Sequence, residues 1–117
     1  MKCPSTFQCP VEATLSLIGG KYKALILWHL VENTLRFSEI SKRIPQATPK
    51  MLTQQLRELE ADNLISRTVY PVVPPKVEYS LTEFGKSIIP ILDAMCRWGE
   101  SYLEGLEVSS SDCSSPR

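Results

Sequence analysis

The stretch Thr48-Pro49-Lys50-Met51-Leu52-Thr53-Gln54-Gln55-Leu56-Arg57-Glu58-Leu59-Glu60-Ala61-Asp62 decides the fold. Thr48 is a good N-cap, because its hydroxyl accepts from an unpaired N–H of the first turn, and Pro49 stands at the first helical position, where its missing donor costs nothing. Leu52, Leu56 and Leu59 follow at offsets of four and three, which turns one face of a helix over about 49-62 toward a core. Lys50, Thr53, Gln54 and Arg57 repeat at the same spacing on the other face. They offer cationic, hydroxyl and amide groups of the kinds that pair with phosphates and with guanine and adenine edges. A merely solvated face has the same composition, so the flanking segments carry the decision.

Upstream, Phe37-Ser38-Glu39-Ile40-Ser41-Lys42-Arg43-Ile44 places Phe37, Ile40 and Ile44 on one helical face, and Pro45 disfavours helical geometry at Ile44. Two helices therefore meet through a turn bracketed by prolines. Before them, Lys21 to about Glu32 predicts a helix that is apolar on most sides and central to the core. Cys9-Pro10-Val11-Glu12 opens a short first helix that stops at Gly19-Gly20.

Downstream, Leu64 to Tyr70 and Lys76 to Leu81 are rich in β-branched and aromatic residues, and the second run sets Val77, Tyr79 and Leu81 on one side. Pro71-Val72-Val73-Pro74-Pro75 separates them, which predicts a hairpin over about 64-81 with a stiff, projecting tip. Arg67, Pro75 and Lys76 lie where such a wing meets a nucleic-acid backbone. Thr82-Glu83 then starts a long helical region, about 82-106, that bends at Pro90. Its apolar residues Ile88, Ile91, Leu92, Met95, Trp98 and Tyr102 exceed what one small domain covers. They form either a dimer interface with part of the first helix or a segment folded back over the core.

The bulk numbers fit this assembly. A chain of 117 residues, 43% apolar, builds one modest core. No stretch is apolar enough for a signal peptide or a membrane span, so the expected location is cytoplasmic. Net charge is zero, which argues against a nucleic-acid binder until its distribution is examined. Lys21 to Lys76 holds nine basic and five acidic residues, a balance of +4, whereas Val77 to Arg117 holds three and seven, a balance of −4. The expected fold class is mainly α with a small β hairpin (α+β): a winged helix-turn-helix with N- and C-terminal dimerisation helices in residues 9-106. A flexible N-terminus (1-8) and a disordered tail (107-117) flank it.

Several segments together resemble the HxlR family of bacterial transcriptional regulators, winged-helix proteins related in architecture to the MarR group. They are Cys9-Pro10-Val11, Gly19-Gly20-Lys21-Tyr22-Lys23, Arg36-Phe37-Ser38-Glu39-Ile40, Lys50 to Glu60, and Pro74-Pro75-Lys76-Val77-Glu78-Tyr79-Ser80-Leu81-Thr82 with Gly85 and Trp98. Tyr22 departs mildly from the pattern, since Trp is frequent there. The resemblance implies a homodimer whose recognition helices enter successive major grooves of double-stranded DNA at an inverted-repeat operator. By position it implies DNA contacts from Ser38, Thr48, Lys50, Met51, Thr53, Gln54 and Arg57, with Pro75 and Lys76 on the wing.

Four cysteines, Cys3, Cys9, Cys96 and Cys113, and a single histidine, His29, fit neither a zinc site nor a disulfide scaffold, so no metal or other cofactor is expected. Cys9 precedes the first helix, where unpaired N–H groups and the helix dipole favour a thiolate. Some relatives with a cysteine here sense oxidants or electrophiles such as quinones, which makes a small electrophile or oxidant a candidate signal. A cysteine that merely packs against the dimer helix is the alternative. Catalysis has little support, because Gly19-Gly20-Lys21 lacks the rest of a phosphate loop and no second histidine exists. The remaining rival is a winged helix used for protein–protein contact without DNA sequence specificity.

Overall fold

The computed structural model describes residues 9–106. The segments 1-8 and 107-117, with Cys3 and Cys113, lie outside the described residues. The chain order is α1 (Pro10–Ile18), α2 (Lys23–His29), α3 (Phe37–Arg43), α4 (Pro49–Ala61), β1 (Ile65–Tyr70), β2 (Lys76–Leu81), α5 (Glu83–Lys86) and α6 (Ile89–Gly105).

The core forms where α2, α3 and α4 converge. Ile26 and Leu27 of α2, Ile40 of α3, and Leu52, Leu56 and Leu59 of α4 are all buried, so the leucine stripe fixes which face of α4 is left outside. Helix α3 ends on Ile44 ahead of Pro45, and Thr48 starts α4 by accepting from the Met51 N–H at 3.1 Å. At the other end of α4, Asn63 takes φ 63°, a left-handed conformation that asparagine tolerates better than most residues. Asn63 and Leu64 then return their N–H groups to the Glu60 and Leu59 carbonyls at 3.0 Å each, closing the helix and aiming the chain into β1.

Strands β1 and β2 pair antiparallel, with Ile65 opposite Leu81 and Tyr70 opposite Lys76. Leu35, in the loop before α3, adds a short bridge on the outer edge of β2. Its N–H donates to the Tyr79 carbonyl at 3.0 Å, and the Tyr79 N–H donates back at 2.8 Å. The hairpin is thereby tied to the helix-turn-helix unit. Its tip, Pro71 to Pro75, projects into solvent, with Val73 99% exposed.

Two expectations change. Helix α2 is shorter than the predicted Lys21 to Glu32, because Tyr22 stays outside the helix as its N-cap and Leu30 closes the other end. The predicted bend at Pro90 is a break: α5 ends before Ser87, and α6 begins at Ile89 with Pro90 in its first turn. A proline lacks the donor needed within a helix but loses nothing in the first turn, so the chain restarts there instead of kinking. No helix among the described residues is long and apolar enough to cross a membrane.

Candidate nucleic-acid interface

With the leucine stripe facing inward, Lys50, Gln54 and Arg57 are exposed and Thr53 is half-buried on the opposite side of α4. Together with Pro49 they line a shallow groove along the helix. Thr53 and Arg57 also border a second depression, completed by Glu60, Arg67 and Tyr79, which leads from the helix onto the hairpin. Helix face and wing thus make one continuous surface. Ser38 is exposed in the first turn of α3, Thr48 is exposed at its cap, and Pro75 is exposed beside the half-buried Lys76. Met51 is turned further inward than the others, half-buried against the core.

The cations on this surface differ in their surroundings. Among the described residues Lys50 and Arg57 form no ion pair, whereas Arg67 Nε lies 3.7 Å from Glu60 Oε1 and Lys76 Nζ lies 3.4 Å from Glu78 Oε2. Lys76 also sits 5.0 Å from the centre of the Tyr70 ring. The Tyr70 hydroxyl hydrogen-bonds Glu78, which raises its pKa, and burial raises that of Tyr79. Partly exposed pairs of this kind are worth little, so exchanging a carboxylate for a phosphate costs little.

Behind the groove, the segment from Gly20 to Lys23 holds the helix-turn-helix by polar contacts that the sequence patterns do not reveal. Lys23 is only 6% exposed, and its Nζ reaches Glu58 Oε1 at 2.8 Å. The other Glu58 oxygen accepts from Gln54 Nε2 at 3.3 Å. The Lys23 hydrogen bond, with that from Gln54, holds the Glu58 carboxyl below the usual glutamate range. One turn away, the Tyr22 N–H donates to Gln55 Oε1 at 3.1 Å and the Tyr22 hydroxyl to the Gln46 carbonyl at 3.2 Å. A Cβ on Gly20 would stand 2.6 Å from Gln55 Oε1, so a larger residue there would displace the Gln55 amide that accepts from the Tyr22 N–H. The spacing of Gln54 and Glu58 is a detectable signal for a side-chain pair, but a lysine inside an apolar helix gives no hint of its partner.

The apolar residues expected at a dimer interface divide into two groups. Ile91, Met95, Trp98 and Tyr102 are exposed on α6, Trp98 by 72%, and the Trp98 and Tyr102 rings stack at 5.8 Å. Leu92 differs from these: in the separated chain it is 3% exposed, packed in the core at the floor of an apolar depression that Trp28, Met95 and Cys96 also line. Ile88 likewise packs against that core. Helix periodicity explains the split, since Leu92 falls on the inward side while Ile91, Met95, Trp98 and Tyr102 follow the outward one. On α1, Val11 and Leu15 are exposed too. Cys9 is exposed at the N-cap of α1, and Cys96 is half-buried against the core. Among the described residues no group of three or more His, Cys, Asp or Glu side chains could hold a metal ion.

A helix-turn-helix backed by a three-helix core and followed by a projecting hairpin, with free cations on the outward helix, defines a winged-helix DNA-binding transcriptional regulator. The chain belongs to the HxlR-like helix-turn-helix family, whose model matches residues 17–107. It is 59% identical over 96 residues to an uncharacterised HTH-type transcriptional regulator of Methanothermobacter thermautotrophicus, covering 82% of this chain and 73% of that protein. It is similar to YtcD of Bacillus subtilis, 55% identical over 97 residues, covering 83% and 77% of the two chains. The fold matches a crystal structure of a YtcD regulator with a TM-score of 0.79 at 54% identity, covering 83% of this chain and 99% of that one. It also matches the redox regulator HypR in its reduced form, with a TM-score of 0.80 at 52% identity, covering 85% and 98%.

Proposed function

We propose that this regulator is a homodimer that reads an inverted-repeat operator, with α4 in the major groove and the hairpin on the flanking backbone. The observation that carries the reading is the continuous surface through Thr53 and Arg57, which joins the helix cations that have no acidic partner to the wing. Thr48, Lys50, Thr53, Gln54 and Arg57 supply the reading face. Ser38 reaches the backbone from the supporting helix, Arg67, Pro75 and Lys76 serve the wing, and Met51 contributes only its exposed part. The functional unit in this reading spans residues 9-106, with recognition helix 49-62 and wing 64-81. Selecting bound duplexes from a randomised pool tests it. An inverted repeat should emerge, and retention on heparin with no sequence selected would instead favour non-specific binding; no retention at all would favour a protein-contact module.

Dimerisation is supported by the exposed α6 face. Aromatic and aliphatic side chains of this size are normally covered, and Gly99, within that helix, has no heavy atom within 4 Å of where a Cβ would stand. A helix-interior glycine costs about 1 kcal/mol relative to alanine, which a close helix approach by a second copy would offset. Sedimentation of Trp98→Ala should reveal monomer if the α6 face pairs, since a buried interface tryptophan typically contributes about 2 kcal/mol or more.

Cys9 is the proposed sensor of oxidants or electrophiles. Its exposure at a helix N-cap supports this, as does the likeness to HypR, a redox regulator. Operator affinity should change on treatment with diamide or a quinone, and the change should vanish in Cys9→Ser. An unaltered response in that variant would remove Cys9 from the role.

A further inference from the structure

We infer that buried Lys23 is a positioning residue for base recognition, acting through Glu58 on the orientation of the Gln54 amide. This rests on the proposed reading in which Gln54 faces a base. An exposed glutamine ordinarily samples many rotamers, and its amide can present either end to a base. Here Gln54 Nε2 is 3.3 Å from Glu58 Oε2, and the other oxygen of that carboxylate is held at 2.8 Å by Lys23 Nζ.

The chemistry fixes a direction. An ionised carboxylate only accepts hydrogen bonds, so it selects the NH2 end of the amide and turns the carbonyl oxygen away. Lys23 lies under α4, nearly removed from water, and so anchors Glu58 on a rigid element of the core. What remains outward on Gln54 is Oε1 with one N–H, the acceptor and donor pair that matches adenine N6 and N7 in the major groove. Without the anchor, Glu58 can swing into solvent, and Gln54 regains both orientations. Specificity would then fall while the phosphate-directed wing cations Arg67 and Lys76 are untouched.

The test compares binding to a selected operator, to its single-base variants and to a duplex of unrelated sequence. Gln54→Ala identifies the base pair at which Gln54 discriminates. Lys23→Met should lose discrimination at that same base pair, by roughly tenfold, with unchanged affinity for the unrelated duplex and an unchanged salt slope. Lys23→Arg should restore it. Should Lys23→Met unfold, the double variant Lys23→Met/Glu58→Met replaces the ion pair with apolar groups of similar length and is expected to fold and show the same loss. Full discrimination in folded Lys23→Met or in the double variant, or an equal loss on every duplex, overturns the inference. If Gln54→Ala discriminates at no position, the failure lies instead with the reading of Gln54 as a base contact.

Discussion

The Tyr22 hydroxyl donates to the Gln46 carbonyl at 3.2 Å, so an aromatic side chain at the start of α2 pins the turn between α3 and α4. Its ring is buried, and its own N–H holds Gln55 nearly two turns into α4. Tyr22→Phe keeps the ring and removes only the hydroxyl. Gln46 is exposed and its carbonyl can turn to water, so the expected loss is about 1 kcal/mol or less in urea unfolding. A variant as stable as the parent would show that the contact does not hold the turn.

Gly85 and Gly99 should respond oppositely to alanine. A Cβ on Gly85 would collide with the Leu64 backbone carbonyl, which already accepts from the Thr82 N–H at 3.1 Å and cannot easily retreat. Gly85→Ala is expected to cost about 2 kcal/mol or more through overpacking at the junction of wing and α5. Gly99→Ala should raise the intrinsic stability of α6 by about 0.5–1 kcal/mol in the separated chain. If the α6 face pairs at close range, the same substitution weakens the dimer. Thermal unfolding across a range of protein concentrations separates the two effects.

Acidification should destabilise the attachment of α4 first. Glu58 has a lowered pKa in the folded chain, so its stabilisation is complete above the unfolded glutamate value of about 4.3 and is lost as pH falls through the folded value. Stability measured from neutral pH downward should therefore decline through that window. The double variant Lys23→Met/Glu58→Met should show a shallower decline, and an identical pH profile would mean that the pair contributes nothing to acid sensitivity.

The wing cations should act as backbone contacts. Lys76→Ala is expected to weaken binding to all duplexes alike and to lower the salt dependence by about one phosphate equivalent. Arg67→Ala should behave in the same way. Relaxed preference at a single base pair in either variant would instead assign that side chain to sequence reading.

Much of this was legible in the sequence because it is local. Thr48-Pro49 announces a helix start whatever surrounds it, the Leu52, Leu56 and Leu59 stripe fixes the inward face, and the proline-rich Pro71 to Pro75 segment separates two β-rich runs. The winged helix-turn-helix and the outward placement of Lys50, Gln54 and Arg57 follow from those features alone. What escaped is non-local. Leu35 bridges Tyr79 from far along the chain, and Lys23 finds Glu58 only once α2 has packed on α4. The apolar spacing on α6 alone does not tell that Leu92, rather than Ile91, turns toward the core. Pro90 carries two meanings, a kink or a first-turn residue, and only the break after Lys86 chooses between them.

The most direct test of the central claim is sequence-selective binding by the α4 face. Duplexes selected from a randomised pool by the intact protein should contain two inverted half-sites about one helical turn, ~34 Å, apart. Replacing Gln54 and Arg57 together with alanine should abolish the preference for those sites while leaving the chain folded. Undiminished selection of the same sites by that double variant would contradict the account.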